Sequence, residues 1–182
     1  MHAHQKGMAL SELLIVMMLI AVLAALCSPF LLTMIHNEKS RALKIQLKQA
    51  IIFAKQLAIT SHDTLAFCVG HDHHCFAKPT TNGLIYVDSF QDGVLHHPAQ
   101  LKQIIPLPKA SGELMLRTFP RYRNAILFHA DDRLLSDNGT FWFCANNKPV
   151  WAITINRIAA INEVAPNNAG TILDHQGRPL EC

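Results

Sequence analysis

The chain carries no Gly-x-Ser-x-Gly elbow, no glycine-rich phosphate loop and no His-Glu-x-x-His pair. Each of these motifs sets a nucleophile, a phosphate cradle or two zinc ligands at fixed spacing on a defined local fold. Without them, the common hydrolase, nucleotide-binding and metalloprotease classes have no support, and the chain reads as non-enzymatic. Internal repeats and low-complexity tracts are also missing, which removes solenoids and compositionally biased arrays. Charge is sparse: 16 Lys and Arg against 13 Asp and Glu leave a formal net charge of +3 over 182 residues. That excess is too small to imply a nucleic-acid or anionic-surface partner by itself. The deepest deficit is local. Residues 13–35, a run of 23, contain no charged side chain at all.

As a helix that run would extend ~35 Å, enough to cross a bilayer's hydrocarbon core. The preceding MHAHQKG is short and weakly basic, with Lys6 beside the run. Positive charge stays cytoplasmic, so the C-terminal part should be exported. A cleaved secretory signal is one alternative, with Val22 and Ala24 as small residues before a cut. Glu12 opposes it, because a secretory hydrophobic region has no use for an acid, and the run continues past Pro29 to Ile35. A lipoprotein signal ending at Cys27 is opposed by the large Leu26. A retained anchor is the favoured reading.

The spacing at this end is specific. Glu12 stands five residues past Gly7 and Pro29 twenty-two past it, with apolar residues between. The segment resembles the N-terminus of type IV pilins and type II secretion pseudopilins. The resemblance implies that a prepilin peptidase cuts after Gly7 and that the new N-terminus, Met8, is methylated. Met8 replaces the usual phenylalanine and Ala9 the common threonine. A lone carboxylate in a bilayer costs roughly 3 kcal/mol on insertion scales, so such a group is normally paired. The resemblance implies that Glu12 of an incoming subunit meets the cleaved amine of a neighbour as helices bundle. Snorkelling of Glu12 to the headgroups is the plainer alternative.

Pro29 should interrupt one helical hydrogen bond and bend the helix. Beyond Asn37 a helical period returns, with Leu43, Leu47, Ile51, Ala54 and Ala58 on one face and Arg41, Lys44, Lys48 and Lys55 on another. A helix from Met8 to about Thr60 would span ~80 Å. The basic stripe is expected to be solvated helix charge rather than a nucleic-acid face.

After Ser61 come short runs rich in β-branched and aromatic residues: TLAFCV, GLIYVDS, ELMLRTF, NAILFH, TFWFCA and VWAITIN. Asn138-Gly139 suits a tight hairpin turn. Segment 89–112, with Pro98, Pro106 and Pro108, reads as a long irregular connection. The fold class expected is α+β: a long N-terminal pilin-like helix, its first half membrane-spanning, packed on an antiparallel sheet or sandwich head. The divisions are a leader 1–7, a transmembrane and assembly helix 8–35, an amphipathic continuation 36–61, and a periplasmic head 62–182.

The head sequence NAILFHADDRLLSDNGTFWFCANNKPVWAITINR, with NGLIYVDSFQDG before it, resembles the GspH/FimT group of minor pseudopilins and minor pilins. DNA-binding members carry a Gly-Arg-x-Arg element near the C-terminus. Here Arg157-Ile158-Ala159 lacks the glycine, and Gly177-Arg178 is followed by Leu180 where the second arginine would stand. DNA uptake is weakened as a reading but stays open, with Arg157, Arg178, Arg117, Arg121 and Arg123 as candidate contacts.

Cys27 lies in the apolar run and reads as a free thiol. Cys68, Cys75, Cys144 and Cys182 fall in the head, and four cysteines allow three pairings. Cys68 with Cys75, and Cys144 with Cys182, suit an oxidising periplasm. CVGHDHHC offers Cys68, His71, His73, His74 and Cys75 as zinc ligands, but at no standard spacing. Asp88 and Asp92 hint at calcium without a full ligand loop, so a plain turn is favoured. Neither a metal nor a cofactor is expected.

The resemblance therefore implies a minor type II secretion pseudopilin near the filament tip. Its partners would be other pseudopilins or pilins, the prepilin peptidase and the bacterial inner membrane. A minor type IV pilin, involved in pilus assembly or DNA uptake, and a membrane-anchored periplasmic enzyme or binding domain are the alternatives.

Overall fold

The computed structural model describes residues 9–71, 74–75, 82–88, 90, 92, 94–119, 121, 123–129, 136–167, 170–174 and 177–182, without the side chains of 9, 26–30 and 32. Two units divide the chain, Met1–Glu38 and Lys39–Cys182. One helix, α1 (Ala9–Ser61), contributes to both. It ends where His62 takes a left-handed conformation, φ 55°.

In the second unit the helical period does what its spacing predicts. Leu43, Leu47, Ile51, Ala54 and Ala58 are all buried, joined by Ala50. They pack on the head, which among the described residues has nine strands: β1 (Leu65–His71), β2 (His74–Cys75), β3 (Asn82–Val87), β4 (Leu101–Pro106), β5 (Glu113–Phe119), β6 (Ile126–Phe128), β7 (Asn138–Ala145), β8 (Lys148–Ile155) and β9 (Ile161–Val164). Every pairing is antiparallel. The first sheet runs β2-β1-β3-β4, with β6 also on β1; the second runs β5-β7-β8-β9. The arrangement is α+β, a helix against two antiparallel sheets.

Strand alternation sorts the side chains into three cores. Leu65, Phe67 and Val69 of β1 meet the helix together with Phe141 and Phe143 of β7 and Trp151, Ile153 and Ile155 of β8. Between them, Ala66 and Cys68 turn to a second cluster with Leu84, Tyr86 and Leu127. Trp142 and Cys144 turn to a third with Ala152, Ile172 and Leu180. Both sheets are therefore covered on both faces, the second by the C-terminal tail. Gly139 makes the sheets' approach possible: a Cβ there would press on the Ile126 side chain. Buried Trp151 donates its indole N–H to Ser40 Oγ at 2.9 Å, tying β8 to the helix.

Three expectations change. Asn138-Gly139 is not a turn but the first two residues of β7, opposite Phe119 and Thr118. The β7–β8 turn is Asn146-Asn147, both left-handed at φ 51° and 57°, as a two-residue hairpin requires. Segment 89–112 is not wholly irregular: a 3-10 turn, Pro98–Gln100, leads into β4. Pro106 fits there because β4 is an edge strand, where a missing N–H costs no ladder bond. Nor is the basic stripe simply solvated. Lys44 and Lys48 both pair with Glu163 of β9, at 3.0 and 2.6 Å, and Lys55 donates to the Ala159 carbonyl at 3.0 Å.

Candidate functional site: an assembly helix and an arginine-lined cleft

In the first unit, Gly7 and Met8 lie outside the described residues. From Leu10 to Ala25 every side chain of α1 is exposed, Leu10 at 73% and Leu19 at 59%. A helix that is apolar on all sides has no solvent-facing stripe and must be covered by something outside itself. Glu12 lies in the first described turn of α1. The helix runs on through Pro29, although the side chains of Cys27 and Pro29 are outside those described. Among the described residues no helix is long and apolar enough to cross a membrane. Beyond Ala25, Leu31, Met34 and Ile35 are exposed as well.

Both head cystine pairs form: Cys68–Cys75 with Cα atoms 5.5 Å apart, and Cys144–Cys182 at 5.7 Å. Each sits on the face of its sheet turned away from the helix. Gly70 lets the first one close, since a Cβ there would collide with the His74 carbonyl. Bonded to each other, Cys68 and Cys75 are not available as thiolate ligands. His73 lies outside the described residues, and no metal-holding cluster occurs among the described ones. Asp92 makes a turn rather than a calcium loop: it accepts from the Val94 N–H at 2.9 Å and contacts His96 Nε2 at 2.8 Å. Burial raises the Asp92 carboxyl, but the hydrogen bonds from His96 and the Val94 N–H and the charge of His96 together outweigh it, and the net shift is downward.

The arginines of the head were singled out separately; the fold gathers four of the five. A cleft of about 500 Å³ is lined by Leu116, Arg117, Thr118, Arg121, Arg123 and Arg178, among others. Arg157 is not in its lining. It sits exposed in the β8–β9 turn, its carbonyl accepting from the Ser136 N–H at 2.9 Å. Arg117 projects from β5, Arg121 and Arg123 follow that strand, and Arg178 comes from the tail.

The key residue was not legible in sequence. Asp174, with a side chain 0% exposed, accepts from Arg117 at 2.9 Å and from Arg178 at 3.0 Å. A tight turn places it: Gly177 is left-handed at φ 74°, and the Asp174 and Arg178 backbones bond at 2.8 Å. The Gly177-Arg178 pair is thus a structural turn, and Leu180 is buried against Trp142 and Ile172 rather than offered to a ligand. Arg117 also lies over the Trp142 ring at 5.4 Å. Arg123 is held by Asp137 at 2.6 Å. Arg121 is exposed, with no partner among the described residues. Such a set of guanidiniums, most of them oriented in advance by carboxylates, can receive a carboxylate or phosphate.

Residues 2–28 match the prokaryotic N-terminal methylation motif. This type IV pilin-like prepilin signal, together with the helix-on-sheets head, supports a protein of the pilin or pseudopilin class. No curated protein and no solved structure matches the chain.

Proposed function

We propose that the chain is a minor pseudopilin of a type II protein secretion system, of the GspH/FimT kind. It is a non-enzymatic subunit anchored once in the bacterial inner membrane, with its head in the periplasm, near the filament tip. The observation that carries this reading is the methylation motif over residues 2–28, joined to a helix whose side chains from Leu10 to Ala25 are all exposed. In this mechanism the prepilin peptidase cuts after Gly7 and Met8 is methylated. The apolar helix then leaves lipid for a bundle, and Glu12 pairs with a neighbour's amine. Pairing offsets the cost of a lone carboxylate in that medium and sets axial register.

Replacing Gly7 tests this directly. The variant should persist as a longer, unprocessed membrane protein, and normal processing would sink the proposal. Glu12→Ala should still be processed but should fail to co-purify with filament subunits. A second reading, a minor type IV pilin that handles DNA, is favoured by the convergence of four arginines in one cleft. Salt-sensitive DNA binding that disappears on replacing Arg121 and Arg178, two of the cleft's arginines, would promote it. Loss of protein export without loss of pilus function in a strain lacking the chain would favour the secretion role.

A further inference from the structure

We propose that the arginine-lined cleft is a receptor for a single carboxylate, carried by a glutamate side chain of a partner protein. That carboxylate completes a charge cluster which Arg117, Asp174 and Arg178 leave one anion short. The site belongs to the head and does not depend on processing at Gly7, so it stands or falls apart from that test.

Two guanidiniums meet on one oxygen. Arg117 donates through Nη1 to Asp174 Oδ2 at 2.9 Å. Arg178 donates through Nε to that same oxygen at 3.0 Å, with its Nη2 also 3.0 Å away. One carboxylate thus faces two cations, and neither arginine has a second ionic partner among the described residues. Like charges held this close favour a further anion, the more so because the Asp174 side chain is fully buried and water screens the cluster less there. The donors for that anion are already in place. Each guanidinium carries five N–H groups, more than one oxygen can take up. The two arginine side chains are 32% and 41% exposed, so their unspent N–H groups can be reached. Trp142 holds the Arg117 plane at 5.4 Å, and Asp174 also accepts from the Arg178 backbone N–H at 2.9 Å. Little ordering of either cation is therefore required when the ligand arrives.

The walls suit a glutamate rather than a bare or a polymeric anion. At about 500 Å³ the cleft is far larger than a carboxylate, so the residue bearing it enters too. Leu116 and Pro179 give its methylenes apolar contact, and Asn124 offers an amide to its backbone. One wall is β5 with the segment after it, which Thr118 Oγ1 holds back on the strand by donating to the Arg123 carbonyl at 2.6 Å. Arg121, in that segment, adds a further charge to the lining. The other wall is the C-terminal tail, fastened by Cys144–Cys182 and by the Trp142 indole N–H on the Glu181 carbonyl at 3.0 Å. Acids in the same place oppose a run of phosphates. Nucleic-acid affinity grows with the number of phosphates neutralised in succession. Here Glu181 stands in the lining and Asp137 occupies Arg123 at 2.6 Å, so the series is interrupted.

The test titrates the full chain in detergent with acetyl-Gly-Glu-Gly-amide and follows the side-chain Nε–H resonances of Arg117 and Arg178 by NMR. Saturable shifts of both are expected. Exchanging the peptide's Glu for Gln should weaken binding about tenfold or more, as loss of a charge-assisted pair implies. Arg178→Gln should do the same with unchanged circular dichroism, because the cystine and buried Leu180 still hold the tail. Arg121→Gln, with no partner to lose among the described residues, keeps the fold in any case and should weaken binding about threefold. Propionate, the bare end of the side chain, should bind at least about threefold more weakly than the peptide, since it lacks the contacts of the walls. Absent shifts, equal affinity for the Gln peptide, or unchanged affinity in either arginine variant overturns the proposal. Propionate as tight as the peptide overturns the protein-borne source. Tighter binding of inorganic phosphate or of single-stranded DNA overturns the carboxylate.

Discussion

Two stretches of one helix obey opposite rules. From Leu10 to Ala25 the side chains are apolar without a period apart from Ser11 and Glu12, and all are exposed. From Lys39 to Ser61 apolar and charged residues alternate with the helical period, and one stripe is buried to the last atom at Leu47, Ile51, Ala54 and Ala58. The second stretch finds its solvent boundary within its own chain; the first requires its cover from outside. Burial inside the chain is therefore a property of pattern, not of hydrophobicity, since the more apolar stretch is the uncovered one.

The largest test of this contrast is a pair of identical truncations. Leu47→Ala should cost the head about 3–5 kcal/mol, the range for a fully buried leucine that leaves a cavity. Leu14→Ala should change head stability by less than about 0.5 kcal/mol, as an exposed site does. Urea unfolding followed by near-UV circular dichroism measures both, and equal losses would erase the distinction. Next in size are the two cystines. They close loops of very different length, with sequence separations of 38 for Cys144–Cys182 and 7 for Cys68–Cys75. On loop entropy, removing the longer by paired serine substitution should destabilise by about 1.5 kcal/mol more than removing the shorter. Comparable losses in the same unfolding assay would assign their effect to packing instead.

The smallest effect concerns the charged face of the second stretch. Hydrogen bonds from Lys48 and Lys44 hold the Glu163 carboxyl down to about 2, against an ordinary 4.5. A depressed acid contributes stability that is fully present above its unfolded value and disappears as pH falls through its folded one. Glu163→Gln should thus lower stability at neutral pH by no more than about 1 kcal/mol, because the group is solvent-screened. Between about pH 4.5 and 2 the difference from the parent should shrink to nothing. A difference that grows on acidification would contradict the assignment.

Much of the fold was legible because it rests on short-range pattern. The buried stripe of α1 follows from spacing, and β5 coincides with ELMLRTF, whose boundaries the flanking turn residues mark. What escaped was decided by neighbours. β4 is disguised by proline, which only its place at an edge permits. β9, INEV, is four residues long, and its Glu163 is explained by lysines more than a hundred positions away. Asn138-Gly139 has the composition of a turn, but Gly139 is needed for the closeness of Ile126. The cleft shows the same limit. Its arginines could be named one at a time, yet their meeting depends on the path of the tail. Asp174, which anchors two of them, carries no local signature.

The β4 edge of the first sheet is marked by what it forbids. β4 carries an exposed Lys102 and closes on Pro106, which has no N–H to offer. Charge and proline at an edge stop one copy of a chain from annealing to the next. Where many heads are crowded onto a membrane surface, random edge-to-edge aggregation is the main hazard for a β-rich domain. Pro106 closes that route along the β4 edge of the first sheet.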